Sequence, residues 1–138
     1  MKIYFACSIR GGRQNAGAYK HLADYIAERA TLLTEEFTDQ NLTADGTNAP
    51  SSVIHKNDLD LVAKADVIIA EVSVPSLGVG YEIAKAEELG KPILAFYDTR
   101  SEYKLSAMIE GSENVVLCKY SNLGLALANI DVFIAKHS

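Results

Sequence analysis

Two carboxylates, Asp58 and Glu82, stand where a solvent-facing acid would not. At about 100° per residue, the helical segment from about 52 to 65 puts Ile54, Leu59, Leu61, Val62 and Ala65 on one arc, and Asp58 falls inside it. Lys56, Asn57, Asp60 and Lys64 take the opposite arc, where Asp60 is four residues from both lysines and reads as a solvated ion-pair partner. In the segment from about 78 to 89, Val79, Ile83, Ala86 and Leu89 share an arc with Glu82, while Tyr81, Lys85 and Glu88 turn away. A core-facing carboxylate costs some kcal/mol unless it is hydrogen-bonded or lines a cavity. Each acid could cap a loop or pair with a buried cation. Two in the early turns of two helices, at one edge of the fold, favour chemistry instead. Paired carboxylates suit cleavage of a glycosidic bond, one acting at the oxocarbenium-like carbon and the other on a proton. The helix N-terminus would help to keep Glu82 ionised.

Three further features surround the pair. Ser8-Ile9-Arg10-Gly11-Gly12-Arg13 combines a hydroxyl, two guanidiniums and glycine amides, a good match to a phosphate monoester. It fits neither the Walker pattern nor Gly-x-Gly-x-x-Gly. The turn Pro75-Ser76-Leu77-Gly78-Val79-Gly80-Tyr81-Glu82 adds donors at Ser76 and Gly78, and Tyr4 can turn its hydroxyl toward the same crevice. Glu71, at the end of an apolar run, is a rival acid. His55 lies beside Asp58 with no second histidine or cysteine at ligand spacing, so it reads as a packed or hydrogen-bonded side chain; no metal or cofactor is expected.

These residues need a scaffold, and the hydrophobic pattern supplies one. Short apolar runs at Ile3–Ser8, Thr31–Thr34, Val67–Val72, Pro92–Phe96 and Val115–Cys118 predict strands. Between and after them, helical spacing predicts helices at about 14–30, 52–65, 78–89, 103–110 and 122–136, the first through Tyr19, Leu22, Ala23, Ile26 and Ala30. Residues 38–52 form a long polar loop ending in a helix N-cap at Ser51-Ser52. Alternation of this kind specifies an α/β fold, a parallel sheet with helices on both faces in three layers. We expect a flavodoxin-like, five-stranded sheet of order 2-1-3-4-5, with ligand beyond the carboxyl ends of the strands, beside strand 1.

At 138 residues the chain has the size of one ordinary domain, 1–138. Its net charge of −5 argues against nucleic-acid polymers and acidic membranes as partners, so any anion must be bound locally. Cys7 and Cys118 lie in apolar runs and suit buried thiols in a reducing compartment, which predicts a cytoplasmic protein. The N-terminus enters a strand-like run without a signal-peptide pattern, and no apolar stretch reaches the length of a membrane span.

Taken in order, Tyr4-Phe5, Ser8 to Arg13, His55 with Asp58-Leu59, Ala65-Asp66-Val67, Ala70-Glu71-Val72, Pro75 to Glu82 and Leu105-Ser106-Ala107-Met108-Ile109 carry a resemblance. From the first strand to about residue 111, the chain is similar to the 2'-deoxynucleoside 5'-phosphate N-hydrolases, which belong with the nucleoside 2-deoxyribosyltransferases. The resemblance implies that Glu82 is a nucleophile forming a covalent 2-deoxyribosyl 5-phosphate intermediate, that Asp58 assists departure of the base, and that Tyr4 orients nucleophile and sugar. It implies a 5'-phosphate held by Ser8, Ile9, Arg10, Gly11, Gly12, Arg13, Ser76 and Gly78. Ser106 would reach it from the neighbouring subunit of a homodimer. The phosphate loop favours the hydrolase over the transferase branch, and a non-catalytic nucleotide-binding module is the reading from another class. Glu36, where the animal enzymes carry a histidine, and Cys7, where a glycine is usual, bear on base preference.

Overall fold

The computed structural model describes residues 1–8, 16–33 and 49–138. The elements run β1 (Lys2–Ala6), α1 (Ala16–Ala27), β2 (Thr31–Leu32), α2 (Ser51–Lys64), β3 (Val67–Glu71), α3 (Leu77–Glu88), β4 (Ile93–Asp98), α4 (Ala107–Glu110), β5 (Val115–Tyr120) and α5 (Leu123–His137). All five strands are parallel, in the order β2-β1-β3-β4-β5, as the sequence pattern predicts.

Burial on both faces explains why the central strands read as unbroken apolar runs rather than alternating ones. Every residue of β3 is buried, and so are Ile3 to Ala6 of β1, paired through Ile3↔Val67, Tyr4↔Ile68, Phe5↔Ile69 and Ala6↔Ala70. The crossover from β1 to β2 runs one way along the sheet and those from β2 to β3 and β3 to β4 run the other. Right-handed connections therefore put α1 on one face and α2 and α3 on the opposite one. On the first face, Arg29 Nε and the Tyr25 hydroxyl both donate to Asp131 of α5, at 2.7 Å each. On the second, α2 lies beside α3, and Lys91 Nζ donates to the carbonyls of Ala63 and Ala65 at the end of α2, at 2.8 and 2.7 Å. A cation there satisfies carbonyls that the helix cannot.

Several boundaries differ from the sequence expectation. Pro50, not Ser51 or Ser52, occupies the N-cap of α2, with no side-chain cap bond, because a proline is already set for the extended backbone that precedes a helix. The helix expected at 103–110 is shortened to Ala107–Glu110, since Ser106 takes the N-cap and accepts from the Met108 amide. Leu89 is 41% exposed, because α3 stops at Glu88 and the chain turns through Gly90 at φ 69°. Val79, Ile83 and Ala86 are buried as the helical spacing requires.

Candidate functional site

The switch point of this sheet lies between β1 and β3, where successive connections leave in opposite directions. From β1 comes Tyr4, fully buried, and just beyond the strand come the buried Cys7 and Ser8. Glu82 comes to the same place from the second turn of α3, and Asp58 from midway along α2 rather than from an early turn, because that helix already begins at Ser51; both acids are half-buried. The three form one electrostatic unit. Burial, foremost, and then the charge of Asp58 raise the Glu82 pKa to about 7, against a hydrogen bond from Tyr4 that lowers it. The Tyr4 hydroxyl is pushed far above its ordinary value, first by burial and then by the charges of Glu82 and Asp58. The fold thus brings together the two acids and the tyrosine that the sequence singles out.

One electrostatic expectation is corrected. The helix N-terminus does not hold Glu82 in the ordinary carboxylate range, because desolvation together with a like charge outweighs it. Near neutral pH the side chain is shared between its acid and carboxylate forms, a state suited to proton management as well as attack.

Ser76 caps α3, its Oγ accepting from the Val79 amide at 3.2 Å. Gly78 and Gly80 have ordinary helical backbones; among the described residues a methyl group on Gly80 would meet nothing within 4 Å, and one on Gly78 only Ser76 Oγ at 3.8 Å. The backbone therefore does not demand glycine at either position. Among the described residues, what their small size provides is open space over the first turn of the helix, where a ligand could approach the amides. Ser8 is fully buried, and its Oγ meets no hydrogen-bond partner among the described residues. A buried hydroxyl of that kind calls for an acceptor or donor from a ligand or a neighbouring segment. Ile9, Arg10, Gly11, Gly12 and Arg13 lie outside the described residues, as do Glu36 and most of the loop from 38 to 52. Ser106 is exposed at the start of α4.

Glu71 does not join the acid pair. It is 1% exposed at the end of β3, where its carboxylate accepts from the Ser73 amide at 2.7 Å, from Ser73 Oγ at 3.0 Å and from the Tyr120 hydroxyl. The sequence reading missed Ser73 and Tyr120; a serine two residues after a strand-end acid is the signal that could have found the first. His55 is hydrogen-bonded: its Nε2 lies 3.3 Å from the Tyr81 hydroxyl and the two rings meet edge to face with centroids 5.6 Å apart. Asp60 pairs with Lys56 at 2.5 Å on the solvent side of α2. No group of three metal-ligating side chains occurs among the described residues.

A doubly wound parallel sheet with two acids and a tyrosine gathered at its switch point defines an α/β protein. Its family is the nucleoside 2-deoxyribosyltransferases: the family profile matches residues 3–130, and the chain belongs to that family. It is 40% identical over 116 residues to a protein of Tetraodon nigroviridis named 5-hydroxymethyl-dUMP N-hydrolase, covering 83% of this chain and 82% of that one. A protein of the same name from Rattus norvegicus is 43% identical over 112 residues, 80% of this chain and 69% of its own. Among solved structures, a CMP N-glycosidase of Clostridium botulinum shares the fold with a TM-score of 0.72 at 20% identity, covering 96% of this chain and 99% of that one.

Proposed function

We propose that the protein is an N-glycosidase that hydrolyses 2'-deoxynucleoside 5'-monophosphates to free base and 2-deoxyribose 5-phosphate. The observation that carries this reading is the coupled unit of Glu82, Asp58 and Tyr4 at the switch point, with the Glu82 pKa raised to about 7. Relatives named N-hydrolases of a deoxynucleoside monophosphate support the substrate class.

In the proposed reaction a Glu82 carboxylate oxygen attacks C1' of the sugar as the C1'–N bond breaks. In the reactive form the one proton the acid pair shares sits on Asp58, which delivers it to the departing base, and a covalent glycosyl ester is left on Glu82. Water then attacks C1', loses its proton to Asp58 and restores the Glu82 carboxylate, so that one water is consumed and both acids end as they began. Tyr4, buried against both acids, orients the nucleophile and the sugar. The 5'-phosphate is held by Ser8, Ile9, Arg10, Gly11, Gly12 and Arg13 on one side and by Ser76 and Gly78 on the other. Among the described residues the buried hydroxyl of Ser8 has no hydrogen-bond partner and the first turn of α3 is open, which supports that placement. No metal or cofactor takes part in these steps.

We further propose a homodimer in which Ser106 of each subunit completes the phosphate site of the other. Leu77, beside Ser76, is 97% exposed, and Met108, two residues after Ser106, is 84% exposed. Apolar side chains this bare beside two proposed ligand contacts favour burial in an interface. Sedimentation equilibrium is expected to give twice the chain mass of 15.0 kDa. Two buried thiols agree with a cytoplasmic setting, and no described helix is long and apolar enough to cross a membrane.

The direct test is chromatography of dGMP, dCMP and 5-hydroxymethyl-dUMP after incubation with the protein. Release of base from at least one is expected, with unphosphorylated nucleosides reacting far more slowly. Arg10→Ala and Arg13→Ala are each expected to raise KM for the monophosphate by about 10- to 100-fold, since each removes a charge-assisted contact worth about 1.5–3 kcal/mol. No released base from any monophosphate would sink the hydrolase reading. Efficient exchange of bases between unphosphorylated deoxynucleosides, unaffected by the arginine substitutions, would move the protein to the transferase branch.

A further inference from the structure

Glu71 is a buried carboxylate that the proposed chemistry leaves unused, and its cost needs a reason. Burial raises its pKa, while hydrogen bonds from Tyr120 and Ser73 pull it back. A hydrophobic side chain of similar volume would fill a core position at lower cost. What the carboxylate does is distinctive in where its bonds lead.

One end of the network is the β3–α3 turn. Glu71 takes both the amide and the hydroxyl of Ser73, three residues before Ser76. Ser73 Oγ in turn accepts from the Asp98 amide at 2.7 Å, at the end of β4. The other end is the β4–α4 loop. Ser101 Oγ donates to the Ser73 carbonyl at 2.6 Å and accepts from the Tyr103 amide at 3.1 Å, and the Tyr97 hydroxyl donates to the Tyr103 carbonyl at 2.5 Å. Tyr120 of β5 closes the network on the carboxylate itself, edge to face with Phe96. Two loops, one leading into Ser76 and the other into Ser106, are thus tied through Ser73 to one buried charge.

We propose that Glu71 is a positioning residue for phosphate recognition: through Ser73 it holds the β3–α3 turn and the β4–α4 loop in one register, so that Ser76 and Ser106 are presented correctly. This rests on the phosphate reading given above, though not on turnover. A fully satisfied buried polar network rigidifies what it connects, and the two phosphate contacts connected here would serve different subunits of the dimer. Glu71 touches neither the sugar nor the reacting atoms. Its loss should therefore weaken binding of the phosphate rather than slow the bond-breaking step.

The test measures the dissociation constant of inorganic phosphate by calorimetry, and KM and kcat for the monophosphate that turns over fastest, in the wild-type protein, Glu71→Gln and Tyr120→Phe. Glu71→Gln is expected to raise both the phosphate Kd and KM by about five- to twentyfold with kcat within about threefold of wild type, the pattern of lost uniform binding. Tyr120→Phe, which deletes one of the three bonds, is expected to raise both by at least about threefold, and adding Glu71→Gln to Ser76→Ala should cost less than about twofold more, because the two act as a unit. The proposal is overturned by unchanged phosphate affinity in Glu71→Gln, or in Tyr120→Phe should Glu71→Gln fail to fold. A loss confined to kcat overturns it as well. A wild-type protein that binds phosphate but releases no base would end the hydrolase reading and leave the proposal to be judged on Kd alone. Failure of the wild type to bind phosphate would end the proposal even where base release persists.

Discussion

Glu82→Gln is expected to release base at least about a thousandfold more slowly than wild type while folding normally, the scale on which removal of an attacking nucleophile acts. The amide keeps the size and leaves Tyr4 a hydrogen-bond acceptor, so loss of activity would reflect lost nucleophilicity rather than a collapsed cleft. The same substitution should stabilise the protein, and the pH dependence of that gain is the sharper check. Glu82 has a folded pKa of about 7 against an ordinary value of 4.5. Between those values the native state binds more protons at this side chain than the unfolded chain does, so the contribution of Glu82 to stability falls as pH rises. A glutamine carries no such penalty. Thermal melts should show little difference between the two proteins below about pH 4.5, and a gain for Glu82→Gln above about pH 7 of about 1–3 kcal/mol, allowing for partial exposure. A loss of stability at pH 8 would contradict the electrostatic account of the cleft.

Asp58→Asn should be nearly as damaging, for a different reason. An amide cannot pass a proton to the departing base, and loss of a general acid costs about 10²–10⁴ in rate. The substitution also removes the like charge that helps to raise Glu82. The acid limb of the pH profile of kcat/KM, set by ionisation of Glu82 in the free protein, is therefore expected near pH 7 in wild type and at lower pH in Asp58→Asn. The substrate phosphate titrates in the same region, at about 6, but its ionisation is the same for both proteins. A shift between them isolates the Asp58–Glu82 coupling. An unchanged acid limb would mean that the two acids act independently, and a wild-type rate in Asp58→Asn would remove that residue from the mechanism.

The scaffold was legible from sequence because burial leaves a mark on composition. Strands covered on both faces must be apolar throughout, and Val67 to Ala70 could be read for that reason. Helices buried along one stripe repeat with helical period, which made Asp58 and Glu82 visible as acids on the wrong arc. Once strands and helices alternate, right-handed connections leave few sheet orders, and β2-β1-β3-β4-β5 is one of the commonest. The boundaries that went astray depend on single residues competing for a cap, as Pro50 and Ser106 do.

The site divides along the same line. Residue types and periodicity were enough to nominate Glu82, Asp58 and Tyr4 and to set Asp60 aside as a surface ion pair. Only tertiary structure could decide that Glu82 lies in the neutral range, since its pKa is set by neighbours 24 and 78 residues away in the chain and by the water excluded around it. The role of Glu71 was equally out of reach, because an acid ending a strand reads the same whether it emerges into solvent or is closed over by a tyrosine 49 residues further on. Sequence alone determined the order of the elements and the acids they carry, because these follow from local periodicity. Proximity decided the rest, bringing two acids and a tyrosine into one electrostatic unit and two loops onto one buried charge, which no local pattern encodes.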